Sequence, residues 1–226
     1  MKHIRGAVAL ISAALLFASG GCVSTRTTQI DSRTSDWRGK SVALTNRPPA
    51  GFMPTTAGKM MFGLIGVGAA VEAGRKMVAE NSLEDPAPIV GRALQEASAA
   101  QYGTVAATSP PASIDETDVT RLAQAARGAD LLFDVQVTGW GFLYKPNLTH
   151  YFVNLGVKLR VIDVPKKTLV AEGFCMRSDK DAKGLPTYDQ LLAEHGALLK
   201  SKLKADTDAC IEEFKQKVLN IPASAT

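Results

Sequence analysis

The sequence predicts a single mixed α/β (α+β) domain. It contains a sheet of about five strands with a three-strand antiparallel meander, packed by helices that include a long one at the C-terminus. Three observations carry that reading. Leu131, Phe133, Val135 and Val137 alternate with Asp134, Gln136 and Thr138, the pattern of a strand with one buried face. Tyr151, Val153, Leu155, Val157, Leu159 and Val161 repeat the period of two, with Asn154, Lys158 and Arg160 turned the other way. Leu192, Leu199, Leu203, Cys210 and Phe214 fall on one stripe when wound at helical pitch.

The chain opens with Lys2 and Arg5, followed by an uncharged stretch from Gly6 to Ser19 that includes Ala13-Ala14-Leu15-Leu16-Phe17-Ala18. This is the layout of a secretory signal. An apolar core of about 14 residues is short of the roughly 20 that a spanning helix needs. Ser19-Gly20-Gly21 then lead straight into Cys22. The arrangement resembles the bacterial lipobox, with Ser19 where that pattern usually has Leu. The resemblance implies a diacylglyceryl thioether and an N-terminal acyl chain on Cys22, so the expected organisation is a signal peptide at 1–21, a flexible lipid-anchored tether at 22–40 and a periplasmic domain at 41–221. Ordinary signal-peptidase cleavage nearby is the alternative. Val23 stands where the inner-membrane retention signal resembles Asp, which implies outer-membrane delivery, with the membrane as the first expected partner.

From Val23 to Asp36 the chain is mostly Ser, Thr, Arg and Gln, with too little apolar surface to offset the entropy of ordering. Ser41 to Thr45 reads as a first strand, and Pro48-Pro49 with Gly51 as a loop. Met60 to Val71 is uncharged and Gly-rich, and on a helix Gly66, Ala70 and Gly74 share one face that lets another backbone approach. A core helix against the sheet, self-association and membrane insertion all fit that face. Pro86 and Pro88 open a second helix to about Gln101. Gly103 to Thr108 suits a strand, and Thr117 to Arg127 a third helix stopped by Gly128. Lys145-Pro146-Asn147 turns the chain into the second meander strand, and Asp163 to Lys167 turns it again into Leu169 to Met176. Thr187 with Gln190 forms a capping box that starts the last helix, expected to run to Leu219.

Apart from Cys22, the cysteines are Cys175, on the third meander strand, and Cys210, on the inward stripe of the last helix. In an oxidising periplasm a disulfide between them is expected, with two separate buried thiols as the alternative.

Few chemistries find support. Removing residues 1–21 leaves 24 basic against 22 acidic residues, and no Lys/Arg stripe with interleaved aromatics points to nucleic acid. His150 and His195 have no metal-ligand spacing, and no GxSxG elbow, P-loop or CxxC pair is present. Asp130 and Asp134 lie about 13 Å apart by strand rise, too far for a carboxylate pair. No catalytic residue, metal or cofactor is expected. Trp140, Phe142, Tyr144 and Tyr151 cluster at the first hairpin, with Gly139 and Gly141 between them. They read either as core beside a bulge or as a surface for a protein partner.

The element order, with Ser41 to Thr45, Glu84-Asp85-Pro86-Ala87-Pro88 and the run from Ala129 through Gly173, resembles the α/β domain of the amino-terminal part of TolB and of the curli-secretion and penicillin-binding-protein-activator lipoproteins. It also resembles uncharacterised outer-membrane lipoproteins of Gram-negative bacteria. The resemblance implies a non-catalytic binding or assembly module of the cell envelope; the alternative is an accessory or carrier subunit of envelope transport that holds a small or lipidic ligand.

Overall fold

The computed structural model describes residues 26–31, 36–56, 63–108 and 114–223. Four helices and a six-stranded mixed sheet make up the fold. The strands are β1 (Ser41–Leu44), β2 (Phe52–Pro54), β3 (Val105–Ala106), β4 (Leu131–Tyr144), β5 (Tyr151–Asp163) and β6 (Thr168–Ser178). The helices are α1 (Gly63–Asn81), α2 (Pro86–Tyr102), α3 (Val119–Ala125) and α4 (Tyr188–Lys217). The sheet order is β3-β1-β4-β5-β6. The meander β4-β5-β6 is antiparallel, whereas β1 pairs parallel with one half of β4 and β2 with the other.

Two helices carry the caps their sequences announce. Asp85 caps α2 by accepting from Ala87 N, with Pro86 in the first turn and left-handed Gly103 at its end. Thr187 and Gln190 form the reciprocal capping box of α4. The inward positions of β4 and β5, including Phe133, Phe142, Leu155, Val157 and Leu159, are fully buried under α1, α2 and α4. A second, smaller core on the opposite face packs Leu132, Ile162 and Val164 against Leu122, Ala123 and Ala126 around α3.

Four features depart from expectation. β2 is a strand inside what reads as loop; its carbonyls and amides are taken up by the far half of β4, with Phe52 opposite Trp140. The last helix is interrupted, because Ala193 is extended and Glu194, His195 and Gly196 are left-handed (φ 52, 55 and 70). Gly196 suits that conformation and is buried against Asn81. Asp134, expected on a solvent face, is 1% exposed, because α3 and the segment before it cover that end of the sheet. Finally, the stretch expected as a tether is docked along part of its length. Thr28 pairs antiparallel with Glu172 of β6, Ile30 N donates to Val218 O at 2.9 Å, and both Ile30 and Trp37 enter the main core.

Candidate functional site

The sequence-derived candidates scatter rather than converge. Cys22 lies outside the described residues. Cys175 and Cys210 are joined as a disulfide with Cα atoms 5.6 Å apart, fastening α4 to β6. Gly66 falls outside the residues whose side-chain surroundings are described. Ala70 is buried, and a Cβ on Gly74 would sit 1.9 Å from the Phe52 carbonyl oxygen. The small-residue face is therefore occupied at Gly74 by the chain's own β2, the core reading of that helix. Among the described residues no helix is long and apolar enough to cross a membrane.

Most of the aromatic hairpin belongs to the core. Trp140, Phe142 and Tyr151 are buried, with Phe52 and Tyr188 completing a chain of edge-to-face contacts at centroid distances of 5.0–6.0 Å. Trp140 Nε1 donates to Ala50 O, so its polar atom is satisfied internally. Tyr144 is half-buried. Gly141 allows the arrangement, because a side chain there would strike the Met53 backbone at 2.2 Å.

Two polar assemblies were not foreseen. In the first, Asp134 lies between Arg47 and Arg160, each within 2.6 Å. The two guanidinium groups also donate to Glu116 O and Thr117 O, tying the segment ahead of α3 to the sheet. Both cations and the anion are almost fully buried, so desolvation makes this a device for holding geometry more than a source of net stability. A cleft of about 240 Å³ opens beside it between Pro48-Pro49 and β4. The second assembly lies along α4, where Arg177 donates to Glu213 and to Ala209 O, and Asp179 accepts from Lys202 and from Val153 N. Burial and the neighbouring Asp179 push Asp206 up to about 6.

A surface groove of about 500 Å³ runs between α2 and α4. Pro86, Ile89 and Arg92 recur every third residue on the facing side of α2, and Lys200, Leu203, Lys204, Thr207 and Asp208 do the corresponding job on α4. Leu83, Pro86, Ile89 and Leu203 give an apolar floor, while Arg92, Lys200 and Lys204 stand at the rim against Glu84 and Asp208. Lys204 is already paired with Asp208 at 2.6 Å. Arg92 and Lys200 are left as the rim's cationic groups. Thr207, whose hydroxyl donates to Leu203 O, keeps its polar atom inside the helix. The i, i+3 spacing on α2 is visible in the sequence, but its pairing with this face of α4 depends on how two distant helices dock.

Among the described residues no cluster of His, Cys, Asp or Glu could hold a metal ion. His150 is hydrogen-bonded to Asn147 and Thr149 at a hairpin tip, and exposed His195 sits in the left-handed turn of α4.

No family model matches the chain, and no curated protein matches it. Solved structures that it resembles in outline include a hypothetical protein from Chlamydia trachomatis, with TM-score 0.38 and 9% identity over 79% of this chain and 97% of that one. The PelC dodecamer from Paraburkholderia phytofirmans follows, with TM-score 0.34 and 15% identity over 80% of this chain and 95% of that one. A lipoprotein from Neisseria meningitidis gives TM-score 0.30 and 15% identity over 77% of this chain and 99% of that one.

Proposed function

We propose that this chain is a lipid-anchored lipoprotein of the bacterial cell envelope, held at the outer membrane and facing the periplasm, whose folded domain is a non-catalytic binding or assembly module. The observation that carries the reading is the joint between the leader and the domain. Cys22, preceded by its charged, apolar and small-residue run, lies only six residues before Thr28, which is stitched to β6 through two backbone hydrogen bonds at 2.7 and 3.1 Å. A lipid on Cys22 would therefore hold the domain at the membrane surface on a leash of at most about 20 Å. Two or three acyl chains on one residue make such a tether stable.

In this reading the α2–α4 groove is the seat for the partner. An apolar floor rimmed by Arg92 and Lys200 suits an amphipathic segment with acidic side chains, the apolar part giving area and the charges fixing register. A second reading, favoured by the groove's volume of about 500 Å³, is that it carries an anionic amphiphile.

A photo-crosslinking residue placed at Ile89 should capture one discrete protein in the living envelope, while the same residue at exposed Ala100 of α2 captures none. Arg92→Glu with Lys200→Glu should abolish the Ile89 adduct without altering thermal stability. An extracted lipid bound to the wild type and lost from the double variant would instead establish the carrier reading. Equal labelling at Ile89 and Ala100, unaffected by charge reversal, would remove the groove from both.

A further inference from the structure

The same joint sets how the domain stands on its membrane. Thr28 pairs antiparallel with Glu172, so Arg26 and Thr27 lie on the side towards which β6 advances, that of Ser178. From Glu172 to Ser178 is six residues of strand, about 20 Å at the usual rise. The six residues from Thr28 back to Cys22 span at most about the same distance. A lipid on Cys22 therefore lies within about 20 Å of Thr28, which keeps the domain close to the bilayer.

That end of the sheet carries Leu148 and Met176, the two most exposed large apolar side chains among the described residues. The β4–β5 tip presents Leu148, 53% exposed and left-handed at φ 62. The tip is held firmly: Lys145 N donates to His150 O at 2.7 Å and Leu148 N to Lys145 O at 2.8 Å. The Asn147 side chain accepts from Thr149 N and His150 N. A bulky left-handed residue is uncommon, and here the turn fixes Leu148 as an outward apolar knob. On the same side of the meander Met176 is 54% exposed, with Leu143 and Phe152 half-buried beside each other. Lys145 reaches across to Lys180 O, joining the tip to the loop after β6, where Lys180 and Lys183 stand beside Asp181 and beside Asp179, whose charge is already paired with Lys202. Apolar groups projecting among lysines match the boundary between acyl chains and anionic headgroups.

We propose that this end of the meander rests on the bilayer that holds the Cys22 lipid, with Leu148 seated among the headgroups and Lys145, Lys180 and Lys183 against anionic phosphates. The inference rests on acylation of Cys22, and its test separates the two. With Cys22 acylated and Cys175 bonded to Cys210, Leu148→Cys would supply the chain's lone thiol for a nitroxide; Lys166→Cys at the opposite, β5–β6 turn serves as reference. The full-length lipoprotein is reconstituted into vesicles of phosphatidylethanolamine and phosphatidylglycerol, and its intact mass is measured on the same sample. The expected result is an acylated mass, with the label at 148 shifted towards oxygen accessibility and away from a water-soluble nickel relaxant, and the label at 166 fully aqueous. An acylated protein with both labels aqueous, or with the label at 166 immersed instead, overturns the orientation alone. An unacylated mass overturns the lipoprotein reading and the orientation with it.

Discussion

On one face of the sheet every inward position of β5 from Tyr151 to Val161 is buried, with α4 lying over the strand, and all six are apolar or aromatic. On the other face, α3 and the segment before it cover only one end. There, Leu132 and Ile162 are buried beside Asp134 and Arg160, whereas Thr138 and Met176, farther along, are exposed. The first face gains stability through area removed from water, while the second positions its covering segment through directional ionic contacts. That difference separates what stabilises the domain from what shapes its surface, and five variants measure it.

The largest effect is expected at the buried charge. Asp134→Ala leaves two buried guanidinium groups without their anion and should cost about 3–5 kcal/mol in urea denaturation. Thr138→Ala, on the same strand and face but exposed, should stay within about 0.5 kcal/mol. Comparable losses at the two positions would erase the distinction between the two ends of that face. Removing the disulfide with Cys175→Ala and Cys210→Ala, which opens a connection spanning 35 residues, should cost about 3–4 kcal/mol on the chain-entropy model.

On the apolar face, Gly74→Ala drives a methyl group into the Phe52 carbonyl and should cost about 1–3 kcal/mol, even though alanine is the better helix former. A stabilised variant would mean that β2 does not sit against α1. The smallest effect is electrostatic. Because Asp206 is raised to about 6 in the folded protein, the folded state binds its proton more tightly than the unfolded state does. Wild type therefore gains stability as pH falls from above 6 towards the ordinary carboxylate range. Asp206→Asn should be more stable than wild type at pH 8, by about 1 kcal/mol after allowing for screening of a half-exposed group, with the gap closing through pH 6 and absent near pH 4. A gap that persists at pH 4 would assign the effect to packing.

What was legible in the sequence follows the same division. Strict alternation exposed the meander and the buried face of β4 and β5, because a slip of one residue would turn β5 inside out. The prolines at Pro86 and Pro88 and the capping box at Thr187 marked helix starts, because their chemistry is local. The Asp134 cluster was not legible, since an acidic residue between apolar ones reads as a solvent face until Arg47 and Arg160, far apart in sequence, are brought beside it. β2 escaped because Phe52-Met53-Pro54 is too short to show a period and is completed by a parallel partner on distant β4. Trp140 and Phe142 left core and contact surface both open for a related reason: their cover, β2 and the start of α4, comes from elsewhere in the chain. The docking of Thr28 was hidden because its pairing uses backbone groups that every residue carries.

The most direct test of the lipoprotein account is fractionation of cells that produce the wild type and Cys22→Ala, with membranes resolved on a density gradient. The account predicts wild type in the outer-membrane fractions and the variant released, folded and disulfide-bonded, into the soluble periplasm. Retention of Cys22→Ala in the same membrane fractions as wild type would contradict it.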